Sequence, residues 1–124
     1  RVDAGEIGAG HSVTAFYEVE MKPDFDGTLA YTRIRHKKPD GYKASEQIFM
    51  LRQGDVSAKL SDASKDFQFA SAVVAFAEIL RKSPYAKDLS YDLVEEVAKS
   101  SSSSNQKDRQ ELLELVRKAR ALDR

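Results

Sequence analysis

The sequence predicts an α+β domain, an N-terminal antiparallel β-meander of three to four strands followed by three helices, and two periodicities carry that prediction. Residues 13–21 alternate: Val13, Ala15, Tyr17, Val19 and Met21 share one face, and Ser12, Thr14, Phe16, Glu18 and Glu20 the other, which is the period of a strand. Residues 66–82, DFQFASAVVAFAEILRK, instead repeat every three to four positions. Phe69, Ala72, Val73, Phe76, Ile79 and Leu80 fill one broad stripe there, against a narrow polar one of Gln68, Ser71, Glu78 and Lys82. Phe67 and Val74 fall outside that stripe, so this central helix is expected to lie packed between the sheet and the later helices. Its alanines, Ala70, Ala72, Ala75 and Ala77, would let those neighbours approach closely.

Composition bounds the alternatives. A chain of 124 residues fits one domain and is long enough to bury a core unaided. Its 20 basic and 20 acidic residues cancel, so no global field draws it to nucleic acid or to an anionic membrane. With no cysteine there is no disulfide, thiol nucleophile or thiolate zinc site, while the compartment stays open. No apolar run approaches the length of a membrane span, so direct membrane insertion is not expected. The opening at Arg1, without an initiator methionine, suggests a piece of a longer protein.

Taken in order, residues 5–12, GEIGAGHS, come within one residue of a phosphate-binding loop, but His11 stands where the lysine belongs and a strand pattern, not a helix, follows. A turn into a strand is the simpler interpretation. After a polar turn at residues 22–27 a second strand is expected over 29–38 and, beyond Pro39, Asp40 and Gly41, a third over 46–52, with 56–60 as a short fourth. The second strand carries Arg33, Arg35, His36, Lys37 and Lys38, followed by Lys43. Arg33, Arg35, Lys37 and Lys38 are thus the candidate interaction surface, and a polyanion-binding module is the alternative function they define. Cations on an exposed edge strand also deter pairing with other chains, and the zero net charge favours that interpretation, so nucleic acid is not an expected partner. Tyr31 and Tyr42 are too few for a base-stacking platform.

Ser61, Asp62 and Ser64 are candidate caps for the central helix, with Asp66 in its first turn. Asp62-Ala63-Ser64 also begins like a D-x-S-x-S metal motif, yet Asp66 occupies the second serine position, so capping is preferred to metal ligation. The helix should stop near Ser83-Pro84. Ser90 caps a second helix over 91–99, with Leu93, Val94, Val97 and Ala98 inside and Glu95 placed to pair with Lys99. The serine tract 100–104 reads as a flexible connector. A third helix covers 108–122, with Leu112, Leu115, Val116, Ala119 and Leu122 as its apolar stripe.

A catalytic constellation is not found. His11 beside Ser12 suggests a hydrolase, but neighbours on a strand point to opposite faces and could not meet as base and nucleophile. Glu18 and Glu20 do share a face, which is the ordinary pattern of the wet side of a sheet as well as that of a carboxylate pair. No catalytic, cofactor-binding or metal residue is therefore assigned, and a hydrolase centred on His11 or His36 is the least favoured alternative.

Two stretches, VDAGEIGAGHSVTAFYEV at residues 2–19 and DFQFASAVVAFAEILRKSPYAKDLSYDLVEEVA at 66–98, with R-x-R-x-K-x-P-x-G from Arg33 to Gly41 between them, resemble the C-terminal region of bacterial YfbK-type proteins. That resemblance covers nearly the whole chain and implies a single C-terminal accessory domain, residues 1–124, following a von Willebrand factor type A domain. It implies export to the cell envelope, often as a lipoprotein, and protein partners. Any divalent cation would belong to the type A domain, so no metal site is carried over to these residues. Strands before Arg1 would then complete the sheet; otherwise its open edge favours a homodimer.

Overall fold

The computed structural model describes residues 5–22, 27–38 and 41–123. Two antiparallel strands, β1 (Thr28–His36) and β2 (Ser45–Arg52), form a hairpin, and three helices follow: α1 (Lys65–Leu80), α2 (Tyr91–Ser100) and α3 (Lys107–Leu122). The α+β class and the three helices are as the periodicities indicate. The expected meander is not: among the described residues the sheet has two strands. Residues 13–21 join no ladder, and 56–60 leave the sheet because the Asp55 carboxylate accepts the Arg52 N–H at 2.8 Å, closing a turn that bends the chain away.

Helix α1 starts where capping chemistry puts it. The Ser64 hydroxyl accepts the Phe67 N–H at 3.2 Å, and Asp66 lies in the first turn, where the helix dipole favours a negative charge. Its far end closes before Pro84 by a different device. Lys82 N–H donates to the Ile79 carbonyl and Ser83 N–H to that of Glu78, the pair of bonds of a Schellman motif, and Lys82 sits at φ 52°. Glycine is the usual residue there because a Cβ in the left-handed region costs about 1–2 kcal/mol. Lys82→Gly is therefore expected to raise stability by about 0.5–1 kcal/mol, read from the urea midpoint; an unchanged or lower midpoint would contradict it.

The core sits where α2 packs against α1 on one side and α3 on the other. Ala72 and Phe76 of α1, Val94 and Ala98 of α2, and Leu113 and Val116 of α3 are its buried apolar side chains. Val94, Ala98 and Val116 are at most 1% exposed, and the two alanines let the helices approach closely. Phe76 meets Tyr91 edge-on at 6.3 Å. At the rim the Tyr91 hydroxyl donates to Asp123 at 2.9 Å; desolvation, then that bond and the carboxylate's charge, hold the phenol above its ordinary value.

Several expected faces are corrected here. In α1, Gln68 is buried rather than part of the polar stripe, because its amide donates to the carbonyls of Ser61 (3.1 Å) and Ala63 (2.7 Å) and so seals the preceding loop onto the helix. Val73 and Leu80 turn outward. In α2, Leu93 is exposed, and Glu95 pairs with Arg117 of α3 at 2.7 Å rather than with Lys99. In α3 the inner stripe is turned by about one residue: Leu113 is buried, whereas Leu115 and Leu122 are exposed. The serine tract is a helix end rather than a loose connector. Ser101 is buried with its hydroxyl on the Val97 carbonyl at 2.6 Å, and the Ser102 hydroxyl donates to that of Ala98 at 2.6 Å.

The central helix is covered on one side, not two. Neither strand packs extensively on any helix, and Phe67 remains 51% exposed, stacked on Phe16 at 5.5 Å. Val74 is half-buried. The outer face of α1 therefore keeps Phe67, Ala70, Val73 and Val74 without the sheet that was expected to lie over them.

Candidate functional site

The most unusual surface is the hairpin itself. Its register pairs Tyr31 with Met50, Arg33 with Ile48 and Arg35 with Glu46 on one face, and Thr32 with Phe49, Ile34 with Gln47 and His36 with Ser45 on the other. Both faces are therefore apolar in part, since Gln47 is followed by four apolar residues in succession, Ile48 to Leu51. Such continuous runs are typical of strands buried on both sides. Here they are open: Tyr31, Ile34, Ile48, Phe49, Met50 and Leu51 are between 42 and 56% exposed. Between the sheet, residues 17–22 and the N-terminal end of α1 lies a broad open hollow of about 1340 Å³, with Tyr17, Val19, Ala30, Leu51, Leu60 and Phe67 on its walls.

The predicted basic surface is divided by the same register. Arg33 and Arg35 share a face with Tyr31 and Met50, His36 is on the opposite one, and Lys37 and Lys38 follow the last ladder residue. All are exposed, and among the described residues none enters an ion pair. A single stripe of four cations, the arrangement a polyanion groove would need, is not what the strand presents.

The residues considered for chemistry do not converge. His11 is exposed in a turn where its N–H donates to the Gly8 carbonyl at 3.1 Å, with Gly10 at φ 78°, so residues 5–12 make a turn and no helix follows to receive a phosphate. His36 is at the end of β1 facing Ser45. Glu18 and Glu20 are exposed in a segment outside the ladder. Of the candidate caps Ser64 alone caps α1, whereas Asp62 ends a short 3-10 turn over Leu60–Asp62 and is not at the cap position. Among the described residues no group of three or more His, Asp or Glu side chains is placed to hold a metal ion, and no helix is long and apolar enough to cross a membrane.

Two side chains with structural consequence escaped the sequence-based prediction. Gln68 looks like a solvated polar position, and Arg109 like one of many surface cations on α3. In the fold, Arg109 reaches across to α1 and to the end of α2, where it stacks on Phe69 and meets Ser101 and Asp66. No spacing rule signals such a contact. The uncovered sheet, by contrast, has a signal in the run Ile48 to Leu51, whose lack of alternation asks for cover on both faces.

An exposed hairpin with apolar side chains on both faces, followed by a three-helix unit, defines a small α+β domain. The chain belongs to the family described as the C-terminal region of the uncharacterized protein YfbK, whose pattern matches residues 1–26 and 20–122. It is 28% identical over 116 residues to the uncharacterized protein YfbK of Escherichia coli (strain K12), covering 78% of this chain and 19% of that protein. The chain thus spans about a fifth of the length of this relative. No solved structure matches it.

Proposed function

We propose that this chain is a non-catalytic accessory domain that docks, through its sheet, onto a von Willebrand factor type A domain of the same polypeptide, in the cell envelope outside the cytoplasm. The observation that carries this is the exposed hairpin with apolar side chains on both faces. A two-stranded hairpin is marginal in water, and strands with this pattern are ordinarily covered twice over. The small share of the relative that the chain spans supports an adjoining body. In the assembled protein the sheet has three or four strands, and any divalent cation is held by the type A domain and not by these residues. A second copy pairing at the sheet edge is the competing way to cover the same surface.

Hydrogen exchange separates the two. In a longer chain that includes the type A domain, the amides of β1 and β2 are expected to exchange at least about tenfold more slowly than in the 124-residue chain, with α2 unchanged. Equal rates in both chains would sink the proposal. Protection that grows with the concentration of the 124-residue chain alone, together with a dimer by light scattering, would assign the cover to a second copy.

A further inference from the structure

Among the described residues β1 has β2 on one side and nothing bonded to its other edge. Tyr17, Val19, Glu20, Met21 and Lys22 line the same hollow as residues 29–33, so a segment with strand periodicity faces β1 across that hollow without joining the sheet. We infer that residues 13–22 pair antiparallel with the free edge of β1, in the register that sets Glu20 opposite Arg33 and Glu18 opposite Arg35. This goes beyond the docking function, since it concerns the chain alone and stands whether or not a type A domain is attached.

Three features select the register. Gly27, immediately before β1, holds φ 111°, a positive value that only glycine adopts freely, and Asp26-Gly27 is a dipeptide that favours a two-residue hairpin connection. Counting outward from such a connection brings position 20 opposite 33, 18 opposite 35, 21 opposite 32 and 19 opposite 34. Charge agrees with the count: the two acidic residues of residues 13–22 meet the two arginines of β1 one to one, and none of the four has an ion-pair partner among the described residues. Apolar patterning agrees as well. In this register Tyr17, Val19 and Met21 join the face of Ile34, Phe49 and Leu51, while Glu18 and Glu20 join the face of Arg33 and Arg35. A slip by one residue would set both glutamates on the apolar face.

The consequence concerns what the sheet can bind. Arg33 and Arg35 are neutralised by their own chain, leaving Lys37 and Lys38 beyond the strand, and one face becomes a three-stranded apolar surface suited to a protein partner rather than to a polyanion.

The absence of native cysteine makes a direct test. In the 124-residue chain, Val19→Cys with Ile34→Cys, and separately Met21→Cys with Thr32→Cys, are oxidised under mild conditions. Val19→Cys with Arg33→Cys serves as the control, because those positions fall on opposite faces. The expected result is a monomeric internal disulfide in both matched pairs, at more than about tenfold the yield of the control. Equal yields in matched and control pairs would mean a loose segment and overturn the inference. Disulfide-linked dimers as the main product would overturn it too, giving the edge to a second copy. As an independent readout, Glu20→Arg should lower the yield of the 21–32 pair several-fold and Arg33→Glu in the same chain should restore it; no restoration would rule out the stated register.

Discussion

Phe76→Ala is expected to destabilise the helical unit by about 3–5 kcal/mol, enough to leave a domain of this size largely unfolded near its working temperature. Phe76 is 8% exposed, its ring packs edge-on against Tyr91, and it faces a core whose other buried members are small to medium aliphatics. Ala72 and Ala98 cannot shift to fill the void, since each is already in close contact with a neighbouring helix, so the cavity cost adds to the lost transfer energy. Phe49→Ala is the informative comparison. That ring is 54% exposed on a strand with no helix beneath it, and its removal is expected to change stability by less than about 0.5 kcal/mol in the same chain. Urea unfolding followed by circular dichroism of the helices reads both values. A Phe76 effect below about 1 kcal/mol, or a Phe49 effect that matched it, would refute the assignment of the core to the helices alone.

The same contrast explains which parts of the fold the sequence made legible. Ser90, and Ser64 as one of three candidates with Ser61 and Asp62, could be identified because a cap is a bond between a side chain and an amide three residues on, information contained in a few consecutive positions. The helix spans could be read to within a residue or two for the same reason. Faces were harder. In α3 the apolar residues Leu112, Leu113, Leu115 and Val116 fit two stripes about equally, and only the position of α2 decides that Leu113 is inside and Leu115 outside. Gln68 was misplaced because its burial depends on a loop folding back over the helix. Composition alone makes the serine tract a loose connector; at a helix end the same hydroxyls find the last carbonyls and bind the chain down.

For the candidate surface the balance is reversed. The basic residues Arg33, Arg35, Lys37 and Lys38 are conspicuous in sequence, yet the ladder holds only Arg33 and Arg35, together on one face, and ends at His36 before Lys37 and Lys38. The apolar run Ile48 to Leu51 attracts less notice and says more. It demands cover on both sides, and since the three helices satisfy one another through α2, that cover is not drawn from their core. Surface chemistry was thus legible as a deficit in the sheet rather than as a set of reactive groups.

Arg109, which touches residues at the ends of both other helices, provides the second large effect. Its guanidinium lies 4.5 Å from the centre of the Phe69 ring, one amino group donates to the Ser101 carbonyl at 2.7 Å, and the other meets Asp66. One side chain of α3 therefore ties the start of α1 to the end of α2. The Asp66 carboxylate is 86% exposed, so the ion pair itself contributes little; stacking and the bond to the Ser101 carbonyl dominate. Arg109→Ala is expected to cost about 2–3 kcal/mol, measured by urea unfolding. Arg109→Lys should recover less than half of that, because an ammonium cannot stack flat on Phe69 and reach two acceptors at once. Asp66→Asn should cost less than about 0.5 kcal/mol. Screening provides the remaining discrimination: about 1 M salt should leave the Arg109→Ala deficit nearly unchanged, since neither the stacked ring nor the carbonyl carries a net charge to be screened. A deficit that vanished in salt, or one reproduced in full by Asp66→Asn, would show the exposed ion pair to be the tie and the stacked guanidinium to be incidental.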